Sequence, residues 1–227
     1  MIKVLHILLF SSITLISSNF GNMNLENNSQ RKYQGTVWTL SDFIGKPKEG
    51  LQIKGNPGMV KYKNGEAVSY NGSSDAIYLD SMPLAGLNQF TVEVVFKPSG
   101  GGNFEQRFLH CGEVQGDRVL LELRSTLNGW YFDAFIITGD NQLALIDPGL
   151  LHPHDQWFHL AYVVDHGKLE TYVNGKKELS GTIEMTPLKG GKTSIGVRQN
   201  EVSWFKGAIY KIRILPEALK PEDFLDL

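Results

Sequence analysis

Residues 157–178, WFHLAYVVDHGKLETYVNGKKE, constrain this chain more than any other stretch: they read as two alternating strands joined by one turn and closed by a second. Trp157, His159, Ala161 and Val163 fall on one face of the first strand, and Phe158, Leu160, Tyr162 and Val164 on the other. Asp165-His166-Gly167-Lys168 is a polar, glycine-containing break, so a hairpin follows. Leu169, Thr171 and Val173 then alternate with Glu170 and Tyr172. Asn174-Gly175 is the dipeptide that most readily takes positive φ at both centres of a type I′ turn, which predicts a second hairpin.

The rest of the chain keeps this rhythm. Strand-like runs cover residues 67–70, 76–79, 90–96, 104–111, 119–124, 130–137, 143–146, 192–197 and 208–215. Two-face alternation with frequent turn signals predicts two antiparallel sheets packed face to face. Residues 36–44 read as a first strand or short turn and 45–58 as a Gly/Pro/Lys-rich loop, with the fold beginning near Val60. Only the last dozen residues look helical, starting at Pro221 with Glu222 and Asp223. No repeat, heptad or long low-complexity tract is visible. All 227 residues fit the ~200–250 residues over which an all-β sandwich forms one domain.

The string from Trp157 to Lys176 resembles the central signature of the laminin-G-like, concanavalin A-like jelly-roll domains. Three further segments resemble that family in the right order: VSYNGSSDAIYL from Val68 to Leu79, FTVEVVFKP from Phe90 to Pro98, and Ile195-Gly196 with FKGAIYKIRI from Phe205 to Ile214. Together they span roughly residues 60–225. The resemblance implies an all-β, antiparallel two-sheet jelly-roll sandwich, with residues 36–227 as a single laminin-G-like domain. That fold is shared by lectins, adhesion modules and some glycan-cleaving enzymes, so it constrains architecture more than activity.

Lys3 precedes an apolar run from Val4 to Ile16 and then Ser17-Ser18, the pattern of a secretory signal peptide over residues 1–20. The run is shorter than the ~20 apolar residues that span a bilayer, so no integral membrane segment is expected after cleavage. Residues 21–35, rich in Asn, Ser and Gln, read as a flexible leader. The expected location is secreted, periplasmic or at the cell surface. A net charge of −2, from 22 basic and 24 acidic residues, gives no electrostatic footprint for nucleic acid. Cys111 is the single cysteine, so no intramolecular disulfide forms, and its apolar neighbours make it a small core residue.

In the family this sequence resembles, one sheet is concave and outward side chains from neighbouring strands converge on a ligand. Alternation sends Phe90, Val92, Val94 and Phe96 to the core and leaves Glu93. It buries Val119, Leu121 and Leu123 and leaves Glu122 and Arg124. Trp130, Phe132 and Ala134 oppose Tyr131 and Asp133. If these strands are neighbours, Glu93, Glu122, Arg124, Tyr131 and Asp133 share one surface with His110 at its margin. Carboxylates and arginine would grip vicinal hydroxyls, and an aromatic ring would cover a pyranose. An ordinary solvated sheet face shows the same alternation. Trp130 and Trp204 read as core or rim packing, and His159 as a residue satisfied within the sheet.

A glycosidase needs two carboxyl groups across one scissile bond, and Glu93, Glu122 and Asp133 are the candidates. The related glucanases place their acids on one strand as E-x-D-x-x-E or E-x-D-x-E, a run this sequence lacks. Leu121-Glu122-Leu123-Arg124 is a short match to the E-L-R element of jelly-roll alginate lyases, whose partner motifs are absent. His152-Pro153-His154-Asp155 reads as a loop rim. The motifs require no cofactor. Structural calcium is the one that the resemblance raises, with Asp75 as candidate ligand. Against it, Tyr210-Lys211 replaces the acidic pair of the family's late element. The favoured reading is an exported, non-catalytic module that recognises a glycan or glycosylated partner through its concave sheet. The alternatives are a glycan-cleaving enzyme (glycoside hydrolase or polysaccharide lyase) and a structural protein-interaction module.

Overall fold

The structure, a computed structural model, describes residues 35–46 and 48–227. The signal-peptide segment and the leader, apart from its last residue Gly35, lie outside the described residues. Among those described, fifteen strands form: β1 (Thr36–Thr39), β2 (Leu51–Lys54), β3 (Gly58–Tyr62), β4 (Gly65–Asn71), β5 (Ala76–Leu79), β6 (Gln89–Pro98), β7 (Glu105–Gly112) and β8 (Arg118–Thr126), then β9 (Gly129–Thr138), β10 (Asn141–Ile146), β11 (Phe158–Asp165), β12 (Lys168–Val173), β13 (Lys176–Thr182), β14 (Lys192–Ile195) and β15 (Lys206–Leu215). They pair antiparallel in two sheets. Sheet A runs β13-β12-β11-β6-β15-β4-β3, and sheet B runs β10-β9-β8-β7-β14-β5-β2. β1 and β4 share one edge of β15, β1 taking Lys211 to Ile214 and β4 taking Lys206 to Ile209.

The organising stretch forms as its sequence dictates. Asp165 pairs with Lys168 and Val173 with Lys176, so each hairpin turn has two residues. The four turn residues His166, Gly167, Asn174 and Gly175 all have positive φ, at 48°, 96°, 50° and 75°. Inward residues of both sheets then fill one core. Phe96 packs against Phe108 and Trp130 with ring centroids 4.8 and 5.3 Å apart. Each such fully buried side chain contributes about 1.5–3 kcal/mol relative to exposure. The alternating assignments of β6, β8, β9 and β11 are all realised in this core.

Three expectations are corrected. The fold begins at Thr36, since β1 is laddered to β15. The span read as a loop contains β2, which pairs with β5 at the edge of sheet B. An edge strand buries one side only, so four residues between Gly50 and Gly55 suffice and leave little apolar signal. The expected C-terminal helix is a single 3-10 turn, Pro221–Asp223. The residues around it spend their backbone groups on sheet A instead: Thr91 Oγ1 donates to the Glu217 carbonyl at 2.7 Å and accepts the Leu219 N–H at 2.9 Å.

Candidate functional site

The C-terminal segment closes the middle of sheet A's outer face. Glu93, on β6, projects outward there and is fully buried. It accepts hydrogen bonds from His159 Nε2 at 2.9 Å and the Leu225 N–H at 2.7 Å, and pairs with Arg213 Nε. Arg213 in turn holds the Asp223 carbonyl at 2.8 Å, and the Phe224 ring lies on His159 and Tyr172. Burial raises the Glu93 pKa, but the hydrogen bonds from His159, Arg213 and Leu225 outweigh it and hold the carboxyl below its ordinary value. The expectation that Glu93 shares a surface with the other four candidates is therefore corrected, because β6 lies in sheet A while β8 and β9 lie in sheet B.

The other four do come together on the outer face of sheet B. Glu122 pairs with Asp133 and Arg124 with Tyr131 in the β8–β9 ladder. Arg124 donates to Glu122 at 3.1 Å and to Asp133 at 2.5 Å. Arg107, opposite Glu122 on β7, donates to Glu122 and to Glu105, each at 3.0 Å, and also holds Ser203 Oγ. The carboxylates form the floor and the guanidiniums the surface: the Glu122 and Asp133 side chains are 3% and 7% exposed, while both arginines are 13% exposed. Burial raises the pKa of each carboxyl, and Arg107 and Arg124 oppose that rise. Tyr131, expected as a sugar platform, is buried. The accessible rings are two others. Phe104, 55% exposed, lies 6.0 Å from the Arg124 guanidinium, and half-buried Trp204 follows Ser203 and lies under Lys54.

A second group occupies the neighbouring part of this face, where Tyr78, Ser194, His110 and Leu120 form one cross-strand row. His110 Nδ1 accepts the Gln199 N–H at 3.2 Å, so Nε2 carries the proton and donates to the Glu113 carbonyl at 3.1 Å. Burial and the nearby arginines bring its pKa to about 4, leaving the ring neutral. Arg118, stacked over Phe135, and Arg198 flank it. Neither has a carboxylate partner among the described residues; each donates to one carbonyl, Gly116 at 2.8 Å and Val114 at 3.1 Å.

Sequence reading missed Arg107, Arg118 and Arg198. Arg107 escaped because a β-bulge at Phe108 reverses the parity of β7, putting Phe108 and Leu109 both inside and both Arg107 and His110 outside. The paired apolar residues were the available signal. Arg118 starts its strand in phase with Glu122 and Arg124 and was readable from the alternation. Arg198 sits in the loop after β14 and carries no such signal.

Around Asp75 the residues do not fit a calcium ion. Its two oxygens accept the N–H groups of Asn56 at 2.9 Å and Asn71 at 3.0 Å, so donors converge where a cation would need acceptors. No group of three or more His, Cys, Asp or Glu side chains that could hold a metal occurs among the described residues. Cys111 is buried, which pushes its pKa up to about 12. His152 pairs with Glu178 at 2.7 Å and His154 with Ser125 at 3.0 Å, both as loop packing.

Residues 71–223 match the family model described as the concanavalin A-like lectin/glucanases superfamily. No curated protein matches the sequence. Among solved structures, domain 4 of AbnA, a GH43 extracellular arabinanase from Geobacillus stearothermophilus determined in complex with arabinotriose, is 25% identical with a TM-score of 0.58, over 87% of this chain and 91% of that one. A native heptameric SAP-like pentraxin from Limulus polyphemus is 17% identical with a TM-score of 0.54, over 68% and 77%. The binding domain of botulinum neurotoxin DC in complex with SialylT is 11% identical with a TM-score of 0.55, over 76% of this chain and 44% of that one. The last two show the fold alone.

Proposed function

The chain belongs to the concanavalin A-like lectin/glucanases superfamily, and within it we propose a non-catalytic module that recognises a glycan through the outer face of sheet B. One observation carries the reading: sheet A's outer face is closed at its centre by the chain's own C-terminal segment, whereas sheet B presents partly exposed guanidiniums between two accessible rings, Phe104 and Trp204. Planar N–H donors suit vicinal hydroxyls, and the rings suit the apolar face of a sugar. Retention or inversion would need two carboxyl groups facing a substrate. Glu122 and Asp133 instead lie beneath the arginines that bind them. The likeness to an arabinanase domain crystallised with arabinotriose supports the reading. Export through the segment within residues 1–20, followed by action outside the cell on a glycan or glycosylated partner, is part of the proposal. No helix among the described residues is long and apolar enough to cross a membrane.

The test is a panel of neutral and acidic polysaccharides and oligosaccharides, read in parallel by thermal shift and by release of reducing ends. Saturable stabilisation without product is expected, weakened at least tenfold, by roughly 1.4 kcal/mol or more, in Phe104→Ala and Trp204→Ala. Tyr62, Trp157 and Tyr210 form a second aromatic patch on the outer face of sheet A, so Tyr210→Ala is the control. Binding lost in that variant alone would move the site. Product that disappears in Glu122→Gln would replace the reading with an enzyme.

A further inference from the structure

The arginines on the outer face of sheet B are unequally paired. Arg107 and Arg124 are ion-paired with Glu105, Glu122 and Asp133. Arg118 and Arg198 are not. They lie close enough to each other, and to Arg107, that after burial it is the charge of Arg198 that most lowers the pKa of Arg118. The charge of Glu122 offsets this in part, but neither Arg118 nor Arg198 has a carboxylate in ion-pair contact among the described residues, so like charges gather beside a neutral histidine at a cost.

A second observation points the same way. The buried Nε atoms of Arg107, Arg118 and Arg198 and the Tyr78 hydroxyl all lack a hydrogen-bond partner. All four side chains belong to this one face or its overlying loop, with Tyr78 two strands from His110 in the same row. A buried unmade donor costs about 1–3 kcal/mol, so this patch carries polarity that the fold itself leaves unused. What the remaining terminal N–H groups of Arg118 and Arg198 would take is an acceptor with several oxygens and a negative charge. His110 cannot supply or repel that charge, because its Nδ1 is held by the Gln199 N–H and its ring is neutral.

We infer that Arg118 and Arg198 form a subsite for an anionic substituent of the bound glycan, a carboxylate or a sulfate ester. The inference rests on the glycan reading above and names its substrate class as acidic saccharides. The neighbouring Phe104–Arg124 part of the face would hold uncharged rings of the same chain. Planar bidentate recognition explains why arginine and not lysine occupies these positions.

Titration calorimetry with two matched probe pairs tests this: oligogalacturonate against its methyl ester, and chondroitin sulfate oligosaccharide against its desulfated form. One acidic member is expected to bind at least tenfold more tightly than its matched partner, and which pair shows it separates carboxylate from sulfate. That preference should collapse in Arg118→Gln and in Arg198→Gln while affinity for neutral glycans stays. Neither side chain has a carboxylate partner, and each loses one hydrogen bond to a carbonyl, so both variants should stay folded with a melting temperature close to the wild type. Should either unfold, Arg118→Lys and Arg198→Lys keep the charge and should still lose most of the preference. Equal binding of both members in each pair, or a preference that survives in these variants, would overturn the subsite and leave the glycan reading standing. Binding to no member of either pair and to no glycan of the wider panel would overturn both.

Discussion

Glu122 lies directly across the β8–β9 ladder from Asp133, and the single guanidinium of Arg124 donates to both carboxylates. Two buried acids side by side are stable as anions only while cations stand against them, and Arg107 and Arg124 both oppose the rise in their pKa. Arg124 therefore holds the floor of the candidate site together before it can touch any ligand, and the same holds for Arg107 one strand away.

Replacing Arg124 by Gln should cost about 3 kcal/mol, because it leaves Asp133 without its cation inside the protein. The loss should shrink as pH falls. A carboxyl with a raised folded pKa binds its proton more tightly folded than unfolded, so protonation restores stability on the way down through that pKa. Urea unfolding at pH 7 and pH 5 checks the sign, and Asp133→Asn in the Arg124→Gln background should recover part of the loss.

Glu93→Gln should release the C-terminal segment. The carboxylate holds the Leu225 N–H, His159 and Arg213, and Arg213 holds the Asp223 carbonyl. Loss of the charge deprives the part-buried Arg213 of its Glu93 partner, at a cost of about 3 kcal/mol. Limited proteolysis should then cut after Leu215 in the variant under conditions that leave the wild type whole.

His110 makes stability depend on pH between 4 and 6.5. Its folded pKa is about 4 against an ordinary 6.5, so across that window the unfolded chain binds more protons. Stability from this group is complete above about pH 6.5 and is lost as pH falls toward 4, with a limiting slope of about 1.4 kcal/mol per pH unit. His110→Gln should flatten the profile between pH 5 and 6.5, measured by urea unfolding. An unchanged slope would show that the ring is protonated in the folded protein.

Gly196 should not tolerate a side chain. Its φ is +88°, and a Cβ there would stand 2.4 Å from the Tyr70 ring and 3.0 Å from the Asp75 carbonyl. Backbone strain and overpacking together should cost about 2–4 kcal/mol in Gly196→Ala. Gly196 also anchors both ends of the loop bearing Arg198 and Trp204, through Phe108 and Phe205. Any ligand affinity should therefore fall further than in a variant of equal stability elsewhere, with calorimetry beside thermal melting as the check.

Most of the architecture is legible without coordinates. Alternation in β6, β8, β9 and β11 gives the core face residue by residue, and Asn174-Gly175 gives a turn, because strand periodicity and positive φ are local properties. Four of the five proposed ligand contacts lie on one surface for the same reason: Glu122 with Arg124, and Tyr131 with Asp133, are two apart on adjacent strands. The bulge at Phe108 interrupts that logic. Its one trace in the sequence is the apolar pair Phe108-Leu109, and it alone decides that Arg107 and His110 point outward together.

Alone, the sequence determined that the chain is a two-sheet antiparallel sandwich and which side chains leave its core, since a period of two is written into neighbouring residues. Only the tertiary structure decided which outward residues meet. Sheet membership is set by pairings between strands far apart in the chain, which carried Glu93 into sheet A beneath residues 216–227 and brought Arg198 from a loop to Arg118 at a strand start. Exposure was decided there too: Glu122, Asp133 and Tyr131 point outward as their positions require, yet lie buried because packing on an outer face comes from side chains and loops that no local pattern specifies.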